Sequence, residues 1–143
     1  MSVSDPIDWI DHADRDIDTV KRCLGGAWPN IDVACFHIQQ ATEKLVKALL
    51  VHSGVKFPRG KEGHDIGICA DRLPDGHSCK EEARSFEFAT DWTFKYPSED
   101  PLAQDPRPDL AEVVEALARL EAFRGKVLAQ IGLERRPVGD PFG

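Results

Sequence analysis

Ala34-Cys35-Phe36-His37-Ile38-Gln39-Gln40-Ala41-Thr42-Glu43-Lys44-Leu45-Val46-Lys47-Ala48-Leu49-Leu50 is the stretch on which the fold turns. Ala34, Ile38, Ala41, Leu45, Ala48 and Leu49 recur at steps of three and four, with one step of a single residue, so they line one face of a helix. Phe36 and Val46 widen that face, which predicts neighbours on more than one side. Asn30 is a candidate cap before the run, and Gly54 follows shortly after His52, so the helix is bounded at about 30 to 52.

Working outward, the chain stays helical. Towards the N-terminus, Asp5-Pro6 pairs a capping residue with a proline suited to the first helical position. Ile10, Ala13, Ile17, Val20 and Leu24 then form one apolar stripe, and Gly25-Gly26 suggests a left-handed stop. Towards the C-terminus, residues 54–63 make a basic loop, and a short helix is expected after Asp65. Pro74-Asp75-Gly76 reads as a turn. Ser78 and Glu81 have the S-x-x-E spacing of a capping box, which predicts a fourth helix carrying Ala83, Phe86, Ala89, Thr90 and Thr93 on one side. Residues 94–108 are too rich in proline to be helical, and a last helix is expected from about Pro106 to Ile131, closed by Gly132. No strand pattern or repeat interrupts this. The expected architecture is all-α, an antiparallel up-and-down bundle of four long helices plus one short helix. It forms one domain over 1–131, with 132–143 as a loose tail.

Composition agrees with that picture. A chain of 143 residues, 41% apolar and 30% charged, suits one core with a charged coat and argues against a disordered chain. No apolar run approaches the roughly 18–20 residues of a membrane span. No signal peptide is visible at the N-terminus. The balance of 18 basic against 25 acidic residues gives a net charge of −7, which argues against broad electrostatic binding of nucleic acid but leaves room for a small basic pocket. Cys23, Cys35, Cys69 and Cys79 make no C-x-x-C pair and lie at no metal-ligand spacing, so free thiols in a cytoplasmic protein are expected, with no metal and no cofactor.

The 34–50 stretch resembles the signature helix of the HEPN family (higher eukaryotes and prokaryotes nucleotide-binding domain). His64-Asp65, after Pro58-Arg59, resembles the family's HD element at the start of its short third helix. Lys95-Tyr96-Pro97 resembles its RYP element, with lysine in place of arginine. The resemblance extends over about residues 5 to 131. It implies a helical bundle that commonly forms a homodimer, and one of three trades: an R-x4–6-H ribonuclease, often a toxin beside a minimal nucleotidyltransferase; a nucleotide binder; or a non-catalytic partner.

The ribonuclease chemistry needs a histidine for proton transfer and an arginine for the phosphate. Near the start of the last helix, where the family carries its motif, Arg107 is followed by Pro108-Asp109-Leu110-Ala111-Glu112-Val113-Val114, with no histidine. Arg59 with His64, and Arg72 with His77, each have four residues between them, a spacing that ten arginines and five histidines produce by chance. Arg59 and His64 therefore stand as the weaker, catalytic alternative. Gln40, Lys44 and Lys47 share a helix face and, with Arg59, Lys61, Lys95 and Tyr96, make a candidate nucleotide or phosphate site. The opposing reading is a solvated face with an ordinary Glu43–Lys47 pair. His37 is expected to be a buried, hydrogen-bonded histidine, and Trp9, Trp28 and Trp92 packing or dimer residues. The favoured reading is a non-catalytic homodimer that binds a nucleotide or a partner such as a nucleotidyltransferase. RNA is a less favoured ligand, and a structural dimer module without ligand is a further alternative.

Overall fold

In the computed structural model, which describes residues 5–92 and 108–132, those residues form five α-helices and two 3-10 turns, with no strand. The first helix, α1 (Pro6–Leu24), begins where the Asp5 carboxylate accepts the Ile7 N–H at 2.9 Å. The second, α2 (Ile31–His52), begins where the Asn30 side chain accepts the Val33 N–H at 3.2 Å. Trp9 meets Phe57, Asp16 meets Lys44 and His37, and Cys23 meets Asn30, so the two helices run antiparallel.

Gly25 ends α1 in a right-handed conformation, at φ −85°, not in the left-handed one that the glycine pair suggested. The left-handed stop belongs to Gly132 at φ +83°, whose N–H closes α5 (Leu110–Ile131) on Leu128 and Ala129. That helix starts at Leu110, because the Asp109 carboxylate caps it by accepting the Glu112 N–H at 2.9 Å. Pro106, where the sequence placed the start, lies outside the described residues. The expected short helix is α3 (Ile66–Asp71), capped by the Asp65 carboxylate on the Ile68 N–H at 2.9 Å.

The fourth long helix is the correction. The region holds α4 (Lys80–Arg84), five residues long, followed by a 3-10 turn over Glu87–Asp91. The Ser78–Glu81 capping box does not form: the Ser78 hydroxyl lies 2.6 Å from Gln130 Oε1, and Cys79 stands at the cap position without capping the helix through its side chain. The Ser85 hydroxyl donates to the Glu82 carbonyl at 2.5 Å, a local bond that competes with helix continuation. Ala83, Phe86 and Ala89 are all buried. Their spacing of three is the repeat of a 3-10 helix, not of an α-helix.

The all-α bundle therefore rests on α1, α2 and α5, and α2 is its axis. It packs against α1 on one side and against α3, α5 and the Glu87–Asp91 turn on others, as its wide apolar face predicts. Ile38, Leu45, Leu49 and Leu50 are wholly buried on it, and Phe86 packs on Phe123 of α5 at 5.3 Å between ring centroids. Each side chain of that size contributes about 1.5–3 kcal/mol on burial. Asp14 of α1 takes a two-pronged bond from Arg124 of α5, at 2.5 and 2.9 Å, which fixes those helices to each other. Cys23, Cys35, Cys69 and Cys79 are not joined in disulfides, and no described helix is long and apolar enough to cross a membrane.

Candidate functional site

An acid on an apolar helix stripe must find partners or remain in water. Asp16 is such an acid. It lies three residues after Ala13 and four before Val20, and only 8% of it is exposed. Its two carboxylate oxygens are both used: Oδ1 by His37 Nδ1 at 2.8 Å, and Oδ2 by Lys44 Nζ at 2.6 Å. His37 and Lys44 stand two turns apart on α2, so one carboxylate bridges both to α1. His37 is thus the hydrogen-bonded histidine that its place beside the apolar face predicted, though it is half-buried.

A second acid repeats the arrangement one turn further along the seam. Glu43 Oε2 takes the Lys47 ammonium at 3.0 Å, and Oε1 takes His64 Nδ1 at 3.1 Å. Gln39 reaches the same Oε1 at 3.4 Å, and Gln40 donates to Gln39 at 2.7 Å. Lys47 is itself buried, its Nζ 5.6 Å from the Trp9 ring and 5.4 Å from the Phe57 ring, while those rings meet edge-on at 5.2 Å. Two aromatic faces and one carboxylate replace the water this ammonium loses.

The face carrying Gln40, Lys44 and Lys47 is therefore not solvated. The Glu43–Lys47 pair exists, but as a buried pair rather than a surface one, and Lys44 belongs to Asp16. Gln40, Lys44 and Lys47 of the candidate site are thus bonded within the bundle. Arg59 and Lys61 are exposed on the following loop, Arg59 just before and Lys61 inside the 3-10 turn Gly60–His64. Lys95 and Tyr96 lie outside the described residues.

That loop is built tightly. Pro58 is buried, and Val55 and Phe57 pack on the core. A Cβ on Gly63 would lie 2.8 Å from the Pro58 carbonyl oxygen, so only glycine fits there without a backbone shift. The Cys69 thiol of α3 donates to the Gly63 carbonyl at 3.5 Å, and burial pushes that thiol up to about 11, which makes it a structural group and not a nucleophile. Held in this way, the turn sets His64 with its ring 71% exposed while Nδ1 rests on a carboxylate that is 5% exposed. Because Lys47 occupies the other Glu43 oxygen, the carboxylate is an acceptor and Nδ1 carries the proton. The lone pair of the neutral ring then lies on Nε2, on the solvent side. Arg59 precedes this turn and His64 is its last residue.

The other Arg–His pair is not arranged this way. Arg72 is exposed, and His77 Nδ1 accepts the Cys79 N–H at 3.0 Å across the turn, with Nε2 buried and unpartnered. Among the described residues no group of three or more His, Cys, Asp or Glu side chains is placed to hold a metal. Sequence reading missed Asp16, whose signal was an acid within the 13–17–20 stripe. It also missed the role of Glu43, which looks like half of a surface pair until Trp9 and Phe57 close over it.

The central helix of this all-α bundle is tied to its neighbours by two buried carboxylates. The family model of the HEPN domain matches residues 7–129, so the chain belongs to the HEPN family. Its fold is also that of the crystal structure of an archaeal HEPN homologue, which is 24% identical, with a TM-score of 0.60 over 92% of this chain and 99% of that one. No curated protein sequence matches the chain.

Proposed function

We propose that this chain is a non-catalytic HEPN module that binds a nucleotide through its phosphate groups, with the 54–64 loop as their seat. The observation that carries this reading is the position of the free cations. Lys56, Arg59 and Lys61 are exposed and have no ion-pair partner among the described residues, and Glu62 is the only acid between residues 54 and 63. Lys44 and Lys47, by contrast, are consumed by internal carboxylates. Lys44 staples α2 to α1 through Asp16, and Lys47 supports the loop through Glu43 and Phe57, rather than supplying charge to a ligand. An exposed cationic loop anchored on a rigid bundle suits phosphate, which gains from several charge-assisted bonds at once. The homodimer and a nucleotidyltransferase partner rest on family membership alone, as does the pairing of such modules into toxin–antitoxin systems.

Calorimetric titration with ATP, GTP and the corresponding diphosphates tests the reading. Saturable binding is expected, weakened about tenfold or more by Arg59→Glu with Lys61→Glu, since a charge-assisted bond is worth about 1.5–3 kcal/mol. Binding that ignores both substitutions overturns the loop as the seat. A second reading, a metal-independent ribonuclease using Arg59 and His64, has one observation in its favour: Glu43 holds His64 Nδ1 at 3.1 Å while most of that side chain is exposed. RNA cleavage by the purified chain, abolished by Arg59→Ala and by His64→Ala, would replace the first reading with this one.

A further inference from the structure

We propose that His64 is a phosphoryl-accepting nucleophile, a modification site at which Nε2 takes a phosphoryl group from a phosphoramidate-class donor. Five histidines occur in the chain, and His64 alone among the described exposed ones has its ring oriented by a buried carboxylate. His12 and His52 are exposed, and among the described residues neither ring is held by a carboxylate. His37 also rests on a carboxylate but shows only 25% of its side chain, against 71% for His64. Nucleophilic attack needs a lone pair that points outward and stays there, and it needs positive charge for the incoming phosphate oxygens. Glu43 supplies the first by holding Nδ1–H at 3.1 Å, and Lys47 keeps Glu43 from turning away by its 3.0 Å bond. Arg59, just before the same 3-10 turn, and Lys61, within it, supply the second.

The step balances without a further reactant. The Nε2 lone pair attacks phosphorus of the zwitterionic phosphoramidate, the N–P bond of the donor breaks, and ammonia leaves with the protons it already carries. The new Nε2–P bond leaves the ring cationic, with the proton still on Nδ1. Glu43 accepts that proton's hydrogen bond throughout and balances the new charge. Phosphate chemistry at this loop is what the phosphate-binding reading also assumes, and the proposal rests on that reading for Arg59 and Lys61 but not for the Glu43–His64 bond.

The folded chain is incubated with potassium phosphoramidate, and the rate of labelling at each histidine is read by peptide mass spectrometry, with 31P NMR to identify the nitrogen. His64 is expected to label about tenfold or more faster than His12 and His52, on Nε2: a carboxylate that fixes the tautomer and orientation of a metal-ligating histidine is worth about 10–100-fold, and Glu43 fixes this ring in the same manner. Glu43→Gln should bring His64 down to the rate of His52. His12 and His52 of the unmodified chain serve as internal references, so the comparison holds even if the variant unfolds. Equal rates at the three histidines, or attachment at Nδ1, overturn the proposal. Equal rates with nucleotide binding intact remove this inference and leave the phosphate seat standing. Fast His64 labelling in a chain that binds no nucleotide does the reverse.

Discussion

Asp16 and Glu43 solve one problem in two places. Each is a buried carboxylate that takes a lysine ammonium on one oxygen and a histidine Nδ1–H on the other. They differ in what the histidine is attached to. His37 sits on α2 together with its lysine, so the Asp16 centre joins two long helices and leaves its ring little freedom. His64 sits on a 3-10 turn, so the Glu43 centre joins a loop to the core and presents the outer edge of the ring to solvent. The lysines differ as well: 22% of the Lys44 side chain is exposed but only 9% of Lys47. The same triad of groups therefore serves as a staple between helices in one case and as the mount of an exposed side chain in the other. Burial decides which.

The largest expected effect breaks the more buried centre. Glu43→Ala leaves Lys47 charged between Trp9 and Phe57 with no carboxylate, and should cost about 3–5 kcal/mol, as removal of one partner from a buried pair does. Asp16→Ala should cost less, about 1–3 kcal/mol, because Lys44 and His37 are close enough to water to recover some hydration. Chemical denaturation of both variants checks the ranking. Combining Glu43→Leu with Lys47→Met should restore most of the loss, since no unpaired charge remains in the core. If Asp16→Ala proves the costlier of the two, burial does not set the difference between the centres.

How much of this was legible follows the same line. The apolar repeat from Ala34 to Leu49 placed α2 within a residue or two, because a helix buried on several sides keeps its period whatever its polar residues do. Asp16 was legible in principle, since an acid inside the Ala13–Val20 stripe violates the pattern. Glu43 was not, because Glu43–Lys47 has the spacing of any surface pair and only the closure of Trp9 and Phe57 from elsewhere in the chain makes it a core pair. The segment after Ser78 misled for a related reason. Its capping-box letters are local, while Gln130, which lies beside the Ser78 hydroxyl, is 52 residues away. The repeat of three at Ala83, Phe86 and Ala89 was the better signal. The exposed cations of the 54–64 loop were visible as composition, but the internal pairing of Lys44 and Lys47 was not, because it depends on which lysines the two acids capture.

His77 sharpens the comparison by inverting it. His37 and His64 each rest Nδ1 on a carboxylate, which accepts. His77 accepts the Cys79 N–H on Nδ1, and a proton there turns the acceptor into a donor facing a donor. Burial first, and the neighbouring His52 second, lower its proton affinity below the ordinary value of 6.5. The unfolded chain therefore takes up this proton before the folded chain does. Its contribution to stability is full above about pH 6.5 and is lost as the pH falls from there through the lower, folded value. His77→Asn keeps a side-chain acceptor two residues before the same N–H, the geometry of an Asx turn, without a titrating group. Thermal melts of the two chains between pH 7.5 and 5 should diverge on the acid side, with the unmodified chain losing more. Parallel curves would show that this ring does not titrate against folding.

The smallest effect tests whether a tertiary partner has replaced a local one at Ser78 as well. A serine that caps a helix costs about 0.5–2 kcal/mol when changed to alanine. At Ser78 the hydroxyl lies at the exposed side chain of Gln130, and Cys79 occupies the cap position, so Ser78→Ala should cost below about 0.5 kcal/mol, the range of an ordinary surface change. Asp65→Ala is the reference, since Asp65 does cap α3 and should cost about 1 kcal/mol. Equilibrium denaturation of both variants separates the cases. A loss at Ser78 equal to that at Asp65 would mean the capping box forms in solution, α4 extends further than five residues, and the step of three at Ala83, Phe86 and Ala89 is not what shapes this side of the bundle.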